Sequence, residues 1–266
     1  MLLSGNALAE DYVISIGAEA DSDDGRLLSF LGDFKVGKKT WLSMNAGLAK
    51  TDGVVRDNET KFGGVDVDFF FDPVGLRIGG AYWGDPDVLD SRDLKASLYV
   101  RGDAGSLSLE YENRNFEFDL QSDLLLGRTV KFNADGWGLS TRIQVGDRVS
   151  IFANGMVYEY SRPLRLEPDI DVLAFIARSR LSIIGSLIDN RYNAGLEFEF
   201  GSRSIDVSAG QWKTAIDGST VDSYSIGLLT PVSDRVDAEV RVSFDDSEIF
   251  GRTSALSLYL YFFGGS

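Results

Sequence analysis

The chain has 266 residues, no cysteine, no histidine and a formal net charge of −15. The missing cysteines rule out a disulfide framework and thiolate metal sites, and the missing histidines remove Ser-His and Cys-His nucleophile activation and the usual zinc ligands. The acid excess argues against nucleic acid, whose binding rests on neutralising phosphates, and no apolar run approaches the roughly 18 residues of a membrane-crossing helix. At the N-terminus, Ala7-Leu8-Ala9 before Glu10 fits a small-x-small signal-peptidase site. Residues 1–9 are expected to be the remnant of a signal peptide.

From Asp11 onward short alternating segments recur, separated by Gly/Asp/Asn-rich breaks. A period of two marks strands with different surroundings on their two faces. Tyr12, Ile14, Ile16 and Ala18 share one face, and the turn cluster Asp21–Gly25 leads to a second strand over Arg26–Phe34. Lys35–Lys39 turns into Thr40–Lys50, with Leu42, Met44, Ala46 and Leu48 aligned. In Thr60–Phe71, Val65, Val67, Phe69 and Phe71 oppose Asp66 and Asp68; beyond the turn at Asp72–Gly75, Leu76, Ile78 and Tyr82 oppose Arg77. Arg92–Arg101 aligns Leu94, Ala96, Leu98 and Val100 against Lys95.

Ser106–Leu120 aligns Leu107, Leu109 and Tyr111, then shifts phase to Phe116 and Phe118, which a β-bulge would explain. Arg128–Gln144 and Arg148–Tyr160 follow across Gly146-Asp147. Ser161–Asn190 reads either as a long loop with a short helix within 169–188 or as two further strands. The rhythm then returns: Tyr192, Ala194, Leu196, Phe198 and Phe200 oppose Glu197 and Glu199, and Arg203–Lys213 and Val221–Thr230 follow. Val236, Ala238, Val240, Val242 and Phe244 oppose Asp237, Glu239 and Arg241, and Ser254–Phe263 closes the series without a charge.

Short and longer breaks alternate, as in an antiparallel up-and-down transmembrane β-barrel with short periplasmic turns and longer external loops. About fourteen strands are expected, or about sixteen if the 161–190 segment holds two. Aromatics at the external strand ends (Trp83, Tyr158, Tyr160, Tyr192, Trp212, Tyr224, Phe244) and at the opposite ends (Tyr12, Phe34, Trp41, Phe70, Phe71, Phe200, Phe262) suit the two bilayer interfaces. The charged faces, which also include Glu110 and Lys131, would then line a lumen; in the competing soluble β-sandwich, a binding protein, they would face water.

The final strand carries a resemblance. Leu258, Leu260, Phe262 and Phe263 in an alternating apolar strand that closes the chain look like the C-terminal assembly signal of Gram-negative outer-membrane β-barrel proteins of the porin type. The resemblance implies a single barrel domain over residues 10–263 with a short tail at 264–266, location in the outer membrane, contact with outer-membrane lipid and lipopolysaccharide, and insertion by the barrel-assembly machinery. It also implies a porin-like channel for small hydrophilic solutes or ions. Lumen and selectivity candidates are Asp66, Asp68, Arg77, Lys95, Glu197, Glu199, Asp237, Glu239 and Arg241, and their acid excess suggests mild cation preference. The alternative is a closed structural or adhesive barrel. No enzyme is expected without a general base of the usual kind, and neither cofactor nor metal is implied. The acidic loops Asp21–Gly25 and Asp85–Asp90 do not match the EF-hand spacing.

Overall fold

The computed structural model describes residues 11–51, 57–85, 89–120, 128–162, 187–247 and 251–265. Fourteen strands account for nearly all of them: β1 (Tyr12–Asp21), β2 (Arg26–Gly37), β3 (Thr40–Thr51), β4 (Asn58–Phe71), β5 (Val74–Asp85), β6 (Leu89–Gly102) and β7 (Gly105–Leu120). The second half continues with β8 (Arg128–Gln144), β9 (Val149–Tyr160), β10 (Ile188–Phe200), β11 (Arg203–Thr214), β12 (Thr220–Ser233), β13 (Val236–Ser247) and β14 (Gly251–Gly264). Each strand pairs antiparallel with its neighbours in sequence, and β1 pairs with β14, so the sheet closes into a barrel. Closure gives every strand two partners and leaves no edge. No helix occurs among the described residues.

The direct β9–β10 pairing, with Asn190 opposite Val157 and Ala194 opposite Ala153, leaves no place in the wall for two further strands. The closed wall has fourteen strands among the described residues, not sixteen. The helix expected within 169–188 lies outside the described residues except at its end, where Leu187 precedes β10 and Ile188 opens it. The expected signal-peptide remnant at 1–9 also lies outside them. Gly264, read from sequence as the start of a tail, ends β14 opposite Tyr12.

Strand parity decides what faces out. Ile16, Val65, Ile78, Leu94, Leu139, Ile226, Val240 and Leu258 are large apolar side chains left exposed, and all lie on the outward face. Outward positions Tyr224, Ile226, Leu228, Thr230 and Val232 cover about 26 Å of strand at ~3.3 Å per residue. Strand tilt reduces that to about 20 Å, close to the ~25 Å apolar band of outer-membrane barrels. Between the two rims no Asp, Glu, Lys or Arg faces outward among the described residues. An apolar surface this extensive is solvated by hydrocarbon, not by water. The soluble sandwich is excluded by the same arrangement, because it needs a second sheet packed over Val240 and Leu258.

The bulge expected in Ser106–Leu120 is absent: β7 keeps unbroken register with both β6 and β8. What inverts is the environment. Below Tyr111 the outward residues are Leu107 and Leu109; above it they are Asn113, Asn115 and Glu117, while Phe116 and Phe118 face inward. β8 repeats the change, with Trp137, Leu139 and Ile143 outward below and Asp135, Asn133 and Lys131 outward above. Tyr111 and Trp137 pack with ring centroids 4.9 Å apart, and the Tyr111 hydroxyl donates to Asp135 at 2.6 Å. One apolar face and one wet edge mark this height as the outer interface. Lys131 therefore does not face the lumen as its charge suggested; it pairs outside with Glu117 at 2.9 Å.

Candidate permeation lumen

The interior face carries side chains that lie against the wall and bond along it. On β4 and β5, Asp68 and Arg77 are opposite in register; the guanidinium donates to the carboxylate at 2.8 Å, and the Tyr99 hydroxyl of β6 donates to it at 2.7 Å. Gly75 lies beneath the Tyr99 ring, where a Cβ would meet the ring itself. On β6 to β9, Lys95 meets Glu112 at 3.4 Å, and the Tyr158 hydroxyl donates to Glu112 at 2.6 Å. Above them Arg114 pairs with Asp93 at 3.5 Å and sits between the rings of Phe116 and Tyr158.

Around the other half, Arg142 of β8 forms an ion pair with Glu197 of β10, crossing β9. Arg241 of β13 donates to Asp206 of β11 at 2.8 Å and to Glu239 at 2.8 Å. The Tyr261 hydroxyl donates to the same Glu239 at 2.7 Å. Glu19 on β1 accepts from Ser257 on β14 at 2.7 Å, joining the first strand to the last through side chains as well as backbone.

All nine sequence-derived lumen candidates face the interior, but they form no single ring. Asp68 and Arg77, Lys95, Glu197, and Glu239 and Arg241 fall into four separate clusters, while Asp66 lies over Gly79 and Glu199 and Asp237 stand near the short-turn end. The partners Tyr99, Glu112, Tyr158, Arg142, Asp206 and Tyr261 were not among those candidates. Parity along their strands would have placed them inward; the pairing across two strands is not visible in a linear pattern.

Several expected interface aromatics point inward instead. Trp41, Phe70, Trp83, Tyr158, Tyr160 and Trp212 share parity with lumen residues. Near the loop end they contribute to an apolar cluster inside the barrel: Leu89, Phe116, Phe132, Ala134, Met156, Tyr158 and Ile188 are buried there, with Trp83, Tyr160 and Trp212 packed against them. Strand end alone does not distinguish an interface aromatic from one filling the barrel mouth. Outward at the outer interface stand Tyr82, Tyr111, Trp137, Tyr192, Tyr224 and Phe244; at the inner one, Tyr12, Phe34, Phe71, Phe200 and Phe262.

Of the assembly-signal residues, Leu258, Leu260 and Phe262 face outward and Phe263 faces inward opposite Val13. No group of metal-ligating side chains occurs among the described residues.

No protein-family model matches the sequence, and no curated protein matches it. Solved structures match its fold. CymD, a monoaromatic hydrocarbon channel, superposes with a TM-score of 0.58 at 8% identity, over 97% of this chain and 89% of its own. The Acinetobacter baumannii outer membrane protein Omp33 gives 0.53 at 10% identity, over 97% of this chain and 100% of its own. In-vitro folded OmpT, an outer membrane protein of Vibrio cholerae, gives 0.51 at 8% identity over 95% and 98%. At these identities the likeness is one of fold, and the fold is that of the Gram-negative outer-membrane β-barrels.

Proposed function

We propose that the protein is an outer-membrane channel for passive diffusion of small hydrophilic solutes or ions. The observation that carries this reading is a closed fourteen-strand wall, apolar outside, whose interior charges remain accessible: the side chains of Arg77 and Lys95 are 48% and 46% exposed although both point inward. Fourteen strands enclose more space than the eight whose side chains fill a barrel. Asp33, Asp66, Glu110, Glu199 and Asp237 face this space with no Lys or Arg within ion-pair distance among the described residues. That imbalance supports mild cation preference. Single-channel recording in planar bilayers tests both parts. Conductance steps with a reversal potential favouring K⁺ over Cl⁻ are expected, and a pure, heat-modifiable protein that gives no steps overturns the reading.

A closed barrel acting through its loops is the competing reading. The buried apolar cluster on the loop-end wall favours it, and the same recordings separate the two. Outer-membrane lipid and lipopolysaccharide contact the apolar belt in this proposal, and the barrel-assembly machinery engages the strand that ends in Phe262 and Phe263.

A further inference from the structure

A recess of about 350 Å³ opens from the lumen into the wall formed by β10 to β13, in its loop-end half. Its lining includes Arg191, Asn193, Ser208, Trp212 and Arg241, and the carboxylate of Asp245, which has a partner of its own, also borders it. Nearby, Gly210 sits in register between Asn193 and Ser223, and the notch it leaves is bordered by the Asn193 side chain. A Cβ there would press against the Asn193 side chain and the Tyr192 carbonyl.

The groups around the notch differ from the ion-pair clusters elsewhere in the lumen. Arg77, Arg114, Arg142 and Arg241 each hold a carboxylate. Arg191 holds none among the described residues; its contact is Nη2 to the Met156 sulfur at 3.9 Å. The carboxylate of Glu112 on the adjoining wall is taken by Lys95 and Tyr158. Arg191 is exposed to the lumen and directly opposite Trp212 in register. Beside them, Ser208 and Ser225 share a hydrogen bond at 2.9 Å, and Ser225 accepts from Arg241 at 3.1 Å.

We propose that this recess binds a small polyhydroxylated carboxylate, of the size of one sugar acid. The proposal deepens the channel reading by naming a solute class. The guanidinium of Arg191, which meets no carboxylate among the described residues, offers a planar two-donor fork that matches a carboxylate. The Asn193 amide and the serine hydroxyls can both donate and accept, so they complement hydroxyl groups. The Trp212 ring supplies a flat apolar face for the C–H side of a sugar ring. A volume of about 350 Å³ lies at the lower end of small-molecule sites and admits one such ring with water. The lumen acids without a basic partner among the described residues, Asp33, Asp66, Glu110, Glu199 and Asp237, lie nearer the short-turn end than Arg191.

Calorimetric titration of the detergent-folded full chain with D-glucuronate, D-glucose and acetate tests the site. Glucose lacks only the carboxylate and acetate lacks the hydroxyls. Glucuronate is expected to bind at least tenfold tighter than either. Arg191→Gln is expected to bring glucuronate to the level of glucose, and Arg191→Lys, which keeps charge without the fork, to fall between. Equal binding of glucuronate and glucose by the unaltered protein overturns the proposal, as does an Arg191→Gln variant that keeps the preference. Binding is read without current, so a barrel that binds glucuronate but never conducts refutes the channel and keeps the site. One that conducts without binding refutes the site alone.

Discussion

Arg241 on β13 and Asp206 on β11 form a bidentate pair directly across β12, and the residue between them in register with both is Gly227. The two charged side chains lie flat over a position that has no side chain of its own. The same device recurs where Glu112 of β7 accepts from Tyr158 of β9 over Gly136 of β8, again in register with both. Glycine in a strand interior weakens the strand intrinsically; here it allows a charged pair to hug the wall and leave the lumen clear. Gly227→Ala places a methyl group against Asp206 Oδ2 and Arg241 Nη2. The variant is expected to fold, to lose up to about 2 kcal/mol of charge-assisted hydrogen bonding, and to change single-channel conductance. Gly102→Ala, at a site with nothing within 4 Å, is the control and should match the unaltered protein.

The buried pair Asp93–Arg114 should matter more to stability than the exposed ones. Its side chains are only 5% and 8% exposed. Replacing Arg114 by Leu leaves a buried carboxylate without its cation, a change that costs about 3–5 kcal/mol. Lys131→Leu breaks the exposed outward pair with Glu117 and should cost less than about 1 kcal/mol. Urea-dependent unfolding in lipid vesicles measures both.

Depth along the outward face is testable on β14. Leu258 stands in the middle of the apolar belt, so Leu258→Arg should cost about 2–4 kcal/mol of folding free energy in bilayers. Ser254→Arg, on the same face nearer the loop end, should cost about 0–1 kcal/mol. Equal costs for the two would mean the belt is not where the exposed apolar residues place it.

Four tryptophans report on the two surfaces separately. Trp137 is the one that faces lipid; Trp41, Trp83 and Trp212 face inward. Brominated lipids should quench a single component of the emission, and Trp137→Phe should abolish that quenching while leaving the other emission in place.

The loop after β11 is held by Asp217. Partial burial pushes its carboxyl up, but the Thr214 hydroxyl and the Ser219 amide donate to it and hold it below the usual aspartate range. A carboxylate whose pKa is lower folded than unfolded stabilises above the unfolded value, and that stabilisation is lost as pH falls through the folded one. Amide exchange at Ser219, corrected for its intrinsic rate, should therefore accelerate once pH drops below about 4. Asp217→Ala should already exchange fast at neutral pH and show no further acid-dependent opening.

Much of the fold was legible in the linear chain because a barrel wall has only two sides. Alternation along β5 or β13 states which residues share a side, and the uncharged run through Leu256, Leu258, Leu260 and Phe262 states which side meets lipid. The strand series followed from that period, its antiparallel order from the alternation of short and longer breaks, and the face shared by the charged residues from parity. Parity misled only where the surroundings change along a strand. Phe116 and Phe118 looked like a register slip because hydrophobicity moved from the outer face to the inner one above Tyr111, although the backbone did not. Which residues meet is a different matter. Closure sets the register of β1 against β14 and of every pair between, and side chains two strands apart come together only once that register exists. So alternation in the sequence determined the wall and its two faces, while the tertiary structure decided that Arg241 finds Asp206 over Gly227 and that Arg191 stands beside Trp212, because long side chains reach across strands whose register no local pattern encodes.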